Sequence, residues 1–162
     1  MTTRVCKTFL VAVAGLYLGL ITVNNLIDYD SNYEFVRHVL SMDNTFPDNR
    51  LMGRAINSPF VHHVLYLIVI VWEGLAALLC WIGTFFLIKN IRSDRKEFNR
   101  SKSVATIGLS LSLVLWLFGF LVVGGEWFLM WQSSKWNAQN AATRMFLIGG
   151  LLLLFLNQPD EN

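Results

Sequence analysis

The sequence predicts an all-α integral membrane protein: a four-helix bundle of antiparallel transmembrane helices, with a helical extracytoplasmic cap between the first two. Of the 162 residues, 54% are hydrophobic and 15% are charged, whereas about a quarter of a soluble domain is charged. The hydrophobic residues form long runs of about 20 residues, the length that crosses a bilayer. Basic residues cluster beside these runs, which is typical of cytoplasmic loops.

A single membrane domain accounts for the whole chain, 1–162. The net charge of +2 is too small to indicate nucleic-acid binding, and the lipid bilayer is the expected surrounding. We expect an outer cap at 28–58 and a basic cytoplasmic loop at 89–103. The predicted spans lie at about 8–27, 60–88, 104–130 and 138–156.

The first span carries two glycines at helical spacing. Gly15 and Gly19 are four residues apart, a pattern of small residues that lets another helix approach closely. We expect this contact to be intramolecular, with dimerisation as the alternative.

The cap begins with a helix-start signal. Ser31 and Glu34 have the spacing of a capping box, in which the serine would be the N-cap. An amphipathic helix is therefore predicted at about 32–42, followed by a turn-rich stretch and a short helix near 50–56.

We expect the helix of the second span to have Ser58 as its N-cap, because a serine followed by proline is a strong helix-start signal. Glu73 lies near the middle of this span, where a charge costs about 3 kcal/mol. We expect a neutral side chain hydrogen-bonded to a neighbouring helix; a proton relay, an ion ligand or a contact with a partner's cation are the alternatives. The inward face is predicted to comprise Glu73, Ala76, Ala77, Cys80, Gly83 and Thr84.

A seam of small or polar residues recurs every seven positions along the third span, at Ala105, Ser112, Gly119 and Glu126. Such a seam is typical of helix packing inside membranes. Glu126 and, in the fourth span, Arg144 carry charges at similar depths in apolar sequence. Because a short turn makes these spans neighbours, we expect a buried ion pair. The alternative is that Arg144 reaches lipid headgroups.

The distribution of charge predicts the orientation. The stretch 89–102 holds six basic and two acidic residues, and Arg4 and Lys7 flank the first span. Basic loops remain in the cytoplasm. We therefore expect both termini inside and the cap outside.

The histidines raise the question of a haem or metal site. His62 and His63 begin the second span, and His38 lies in the cap. Haem bound by two histidines would need them on facing spans, and adjacent histidines do not share a helix face. We expect hydrogen bonds to headgroups or cap backbone and no cofactor; haem, or a surface metal site that uses one of these histidines and a nearby Asp, is the alternative. Cys6 lies at the N-terminal edge of the first span and Cys80 lies within the second, so we expect no disulfide. No metal-type spacing such as C-x-x-C is present.

Three distinctive stretches lie on the outer side of the predicted bundle. They are N-N-L-I-D-Y from Asn24, F-V-R-H-V-L-S-M-D from Phe35, and G-G-E-W-F-L-M-W-Q-S followed by W-N-A-Q within 124–139. These motifs resemble a bacterial family of predicted small integral membrane proteins, a domain of unknown function (DUF2165-like). The resemblance covers essentially the whole chain. It implies four spans and a bacterial inner-membrane location, and it carries no activity.

Two functions are compatible with these features. The first is a non-catalytic accessory subunit or assembly factor that binds another membrane protein. The second is a small membrane transporter or enzyme with an outer-facing polar cavity around Glu126 and Arg144. No motif identifies a catalytic residue, so the first hypothesis is preferred.

Overall fold

The computed structural model describes residues 1–160, most of which are helical. Single turns of 3-10 helix occur at Met52–Arg54 and Met130–Gln132. The longer helices are α1 Thr2–Ile27, α2 Tyr29–Ser41, α3 Pro59–Lys89, α4 Arg95–Ser101, α5 Ser103–Val114, a π-helical segment Leu115–Trp127 that continues α5, and α6 Gln139–Asn157.

Within residues 1–160, four helices are long and apolar enough to cross a membrane: Thr2–Ile27, Pro59–Lys89, Arg95–Trp127 and Gln139–Asn157. This confirms the all-helical class and the number of candidate spans. The first helix begins about six residues earlier than predicted and the third ends three residues earlier, at Trp127.

The most extensive helix contacts join α3 to α1 and to α5. Glycines, which have no Cβ, allow the helices to approach closely at both contacts. A Cβ built on Gly83 would lie 2.5 Å from the backbone nitrogen of Ala105. A Cβ on Gly15 would lie 3.1 Å from Cβ of Cys80. The structure therefore places Gly15 in an intramolecular helix contact. The inward face predicted for the second span is buried at each position: Glu73, Ala76, Ala77, Cys80, Gly83 and Thr84.

Two predicted packing glycines do not pack against another helix. A Cβ on Gly19 would meet nothing within 4 Å, and one on Gly119 would meet only Leu115 of its own segment. The close approach of α5 instead uses Gly108, whose Cβ would lie 2.9 Å from the backbone nitrogen of Cys80.

The π-helical segment explains why the predicted seam fails halfway along the third span. Ala105 and Ser112 are buried, but Gly119 is only partly buried and Glu126 is exposed. The segment has hydrogen bonds to the fifth residue back, as from Phe128 to Val123 at 3.0 Å. This pattern takes more residues per turn than the 3.6 of an α-helix, so positions seven apart no longer share a face.

The connections differ from prediction in two places. The predicted capping box is wrong, because α2 already begins at Tyr29 and the Ser31 hydroxyl donates to Asp28 at 2.7 Å. The basic loop contains an unpredicted helix, α4. Its N-cap is Asp94, whose carboxylate accepts from the backbone nitrogen of Glu97 at 2.9 Å.

Candidate functional site

A chain of polar side chains joins α1, α2 and α3 and includes the intramembrane carboxyl group. Asn25 donates from Nδ2 to Oε2 of Glu73 at 2.8 Å, and its Oδ1 accepts from Nδ2 of Asn32 at 2.7 Å. Glu73 is 2% exposed and Asn25 6%, whereas Asn32 is exposed. Tyr66 donates to the backbone oxygen of Asn25 at 3.3 Å. A buried carboxyl group is therefore connected to the solvent-exposed start of α2.

This arrangement agrees with the expectation that Glu73 bonds a neighbouring helix. Both functional groups of the Asn25 carboxamide are used, one by α3 and the other by α2. In hydrocarbon such bonds stabilise helix association by about 0.6 kcal/mol each, and up to about 1.7. The chain therefore fixes the relative positions of the helices that it joins.

His63 lies in an aromatic cluster at the start of α3. Its ring stacks on Tyr33 with the centroids 4.1 Å apart, and its Nδ1 lies 2.9 Å from the Tyr29 hydroxyl. Tyr66 packs against Tyr29 at 4.7 Å between centroids. These contacts hold α2 on α3, and the sequence pattern gave no indication of them.

His38 is the centre of a charged cluster on α2. Its Nδ1 donates to the Asp43 carboxylate at 2.8 Å, its Nε2 accepts from Arg37 at 2.7 Å, and its ring stacks on Trp136 at 4.4 Å. Partial burial acts to raise the pKa of Asp43, but hydrogen bonds from His38 and Asn44 and the nearby Arg37 outweigh it and lower that pKa. Both ring nitrogens are thus occupied by protein groups, which orient the imidazole.

His62 is buried and bonds the backbone of the connecting segment, as expected. Its Nε2 donates to the carbonyl oxygen of Ile56 at 2.7 Å. Its Nδ1 has no hydrogen-bond partner among residues 1–160. Within the same residues, no three His, Cys, Asp or Glu side chains come together at metal-binding distance.

The predicted buried ion pair between Glu126 and Arg144 does not form. Both side chains are exposed, and neither has an ion-pair partner in the described part of the chain. Glu126 lies one residue from the end of the π-helical segment, whereas Arg144 is about 8 Å along α6. The wider helical turn directs Glu126 away from the seam and also removes the equality of depth on which the prediction depended.

A different set of buried charges, which was not predicted from the sequence, joins the start of α1 to the residues after α6. The Lys7 ammonium lies 3.1 Å from the Asp160 carboxylate, and Lys102 also pairs with Asp160. The exposed fractions of these side chains are 0%, 4% and 2% for Lys7, Lys102 and Asp160. Both ammonium groups also donate to the Gln158 carbonyl oxygen, at 2.6 and 3.0 Å. The sequence feature that could have indicated this cluster is Asp160, an acidic residue that follows the last hydrophobic segment.

This cluster fixes the ends of three spans. Burial acts to raise the pKa of Asp160, but hydrogen bonds from Lys102 and Lys7 outweigh it and lower that pKa. Arg4 adds a second attachment, since its Nη1 donates to the Ser93 carbonyl oxygen at 2.6 Å and its guanidinium stacks on Phe98 at 4.6 Å. α1, the basic loop and the residues after α6 are therefore joined at this end of the molecule.

The cavity beside His38 is small. It has a volume of about 10 Å³, room for about one water molecule. Its lining includes Met42, Phe128, Met130 and Trp136. Glu126 and Arg144 do not line it, so the outer polar cavity expected around those two residues is not found there.

The comparisons with known proteins are consistent with this architecture. No curated protein and no solved structure matches the chain. One family model matches residues 3–159, nearly the full length, and its description is a predicted small integral membrane protein. The chain therefore belongs to this family, DUF2165.

Proposed function

We propose that the protein is a non-catalytic accessory subunit or assembly factor of a larger complex in the bacterial inner membrane. The observation that carries this proposal is the exposure of Glu126 and Arg144. Both lie in or at the end of apolar helices, and neither has an ion-pair partner among residues 1–160. A charge facing hydrocarbon is costly, so complementary groups on another membrane protein would stabilise both.

The other polar groups support the same proposal. Glu73 accepts from Asn25, His38 bonds Asp43 and Arg37, and His62 bonds Ile56. The Asn25–Glu73 bond joins two helices, and the histidine bonds orient side chains on α2 and at the junction of α3 with the segment before it, so these groups have structural partners inside the protein. Among the charged groups of residues 1–160, Glu126 and Arg144 are exposed on apolar helices without an ion-pair partner, where a partner protein could contact them.

The proposal includes the topology. The contact of Lys7 with Asp160 places the start of α1 beside the end of α6, and Asn25 places the end of α1 beside the first half of α3. These contacts support an antiparallel arrangement. The basic stretch 89–102 supports a cytoplasmic position for both chain ends, with the segment 28–58 as an outer cap.

Labelling with a membrane-impermeant thiol reagent in intact cells tests the orientation. The parent is Cys6→Ser, because Cys6 is exposed while Cys80 is buried. We expect Asn44→Cys in the cap to react from outside and Arg92→Cys in the basic loop to react only after lysis. Labelling of Arg92→Cys in intact cells would contradict the topology.

Purification in a gentle detergent from the native host tests the subunit role. We expect a membrane protein in stoichiometric amount with the wild-type chain, and its loss from the double variant Glu126→Gln/Arg144→Gln. Thermal unfolding of that variant should match the wild type, since neither side chain bonds within the described chain. Arg50→Gln is the control, because Arg50 is exposed and lies outside the spans.

The alternative, a small transporter or membrane enzyme, predicts a different result. The chain would then purify alone with a bound small molecule, and the charge substitutions would not alter its composition. Retention of the partner by the double variant would also contradict the proposed role of Glu126 and Arg144.

A further inference from the structure

A basic cleft opens at the end of the molecule that carries Arg4. It has a volume of about 540 Å³ and lies between the first turn of α1 and the start of α4. This size falls in the range of about 300–1,000 Å³ that is usual for small-ligand sites. Its lining comprises Met1, Arg4, Ile91, Arg92, Ser93, Asp94 and Arg95.

The charge of the lining is strongly positive. Arg4, Arg92 and Arg95 contribute guanidinium groups, against the single carboxylate of Asp94. That carboxylate is already used to cap α4, accepting from the backbone nitrogen of Glu97. The side chains of Arg92 and Arg95 are exposed and have no ion-pair partner within residues 1–160. The cleft therefore offers donors to an anion.

One of the three arginines is held in place by the fold. Arg4 is 8% exposed, its Nη1 donates to the carbonyl oxygens of Ser93 and Ile91, and its guanidinium stacks on Phe98. A planar guanidinium matches the geometry of phosphate oxygens and donates two bonds at once. Because Arg4 is ordered before binding, less conformational entropy is lost when a phosphate enters.

An apolar stripe leads from the cleft along α1. Met1 lines the cleft, and Val5 and Phe9 follow at intervals of four residues, which places all three on one helix face. Their exposed fractions are 64%, 47% and 66%. Because α1 is a candidate span, this stripe would lie among the acyl chains of a bilayer. A lipid whose phosphate enters the cleft could therefore place its acyl chain along the stripe, which a soluble anion could not do.

We propose that this cleft binds the phosphate of an anionic phospholipid, with an acyl chain along Met1, Val5 and Phe9. Basic pockets between spanning helices are known to take such headgroups. The site is separate from the surface around Glu126 and Arg144 and does not depend on the function proposed for it. The bound lipid joins α1 to the basic loop, two segments that Arg4 already connects.

Lipid binding to the purified, delipidated full-length chain tests this site. Native mass spectrometry would follow titration with phosphatidylglycerol, phosphatidylcholine and the water-soluble headgroup glycerophosphoglycerol. We expect phosphatidylglycerol to bind most tightly. Equal affinity for phosphatidylcholine would overturn a site that recognises anionic lipid. Equal affinity for the acyl-free headgroup would show a free-anion site instead and would overturn the role of the stripe.

A matched pair of double variants locates the binding. Arg92→Ala/Arg95→Ala removes two cleft guanidinium groups and should weaken phosphatidylglycerol binding about thirtyfold or more, since each lost hydrogen bond to the charged phosphate costs at least about 1 kcal/mol. Lys96→Ala/Arg100→Ala removes the same charge from exposed positions outside the cleft and should leave affinity within about threefold, because exposed charges that do not touch the ligand are screened by salt. An equal loss in both variants would mean diffuse attraction to the basic loop and would overturn the site.

Discussion

The carboxamide of Asn25 and the carboxyl group of Glu73 meet across the contact of α1 with α3, at 2.8 Å and almost fully buried. A second bond, from Asn32 to Asn25, continues this connection to α2. The pair positions three helices relative to one another in a region where water is not available to replace a lost partner.

We expect Glu73→Gln to leave the stability of the protein close to that of the wild type. The glutamine carbonyl oxygen accepts the Asn25 bond as the carboxyl oxygen does. Glu73→Leu should instead destabilise by about 1–2 kcal/mol, because the buried Asn25 amide loses its acceptor. Thermal unfolding in a mild detergent distinguishes the variants. Severe destabilisation by Glu73→Gln would show that the charged form of Glu73 is required.

Asp160→Asn should destabilise the protein by about 3 kcal/mol, because two buried lysines lose their counterion. Asp48→Asn, at an exposed position, should change stability by less than about 0.5 kcal/mol. Denaturant unfolding at neutral pH gives both values. If Asp160→Asn changed the free energy of unfolding as little as Asp48→Asn does, the buried cluster would contribute no stability.

The same cluster predicts that the stability of the folded protein decreases at acidic pH. The pKa of Asp160 is lowered in the folded protein relative to its ordinary value of 3.8. Its stabilising contribution is therefore complete above that ordinary value and is lost as the pH falls through the lower, folded value. Thermal unfolding between neutral and acidic pH should show this loss in the wild type and a smaller one in Asp160→Asn. An identical pH profile for both would contradict the assignment.

Gly83→Ala should destabilise the protein by about 1–3 kcal/mol, because its Cβ would lie 2.5 Å from the backbone of Ala105 and two helices would have to separate. Gly19→Ala is the matched control on an open helix surface, with nothing within 4 Å. Its unfolding temperature should equal or slightly exceed that of the wild type, since alanine favours helix. If Gly19→Ala were instead the more destabilised of the two variants, the close helix contact would not lie at Gly83.

Glu126→Gln and Arg144→Gln should have additive effects on the stability of the isolated chain. The two side chains are not paired. Substitutions at residues without shared contacts usually change the free energy of unfolding additively, to within about 0.5 kcal/mol. Denaturant unfolding of the wild type, both single variants and the double variant completes the cycle. A coupling well above that limit would show that the side chains meet after all.

The amino-acid sequence by itself determined the helical class, the candidate spans and the inward face of α3. These properties follow from local rules: the length of an apolar run, and the periodicity of an α-helix, which places Glu73, Ala77, Cys80 and Thr84 on one side. Proline at the first position of α3 likewise set the start of that helix.

The tertiary structure decided which polar groups meet. The π-helical segment changed the number of residues per turn, so Glu126 left the face that seven-residue spacing had assigned to it. Asn25 met Glu73, and Asp160 met Lys7, across sequence separations of 48 and 153 residues. No local pattern encodes such pairs, because they depend on how the helices are arranged in space and on which side chains then share a buried, water-free position.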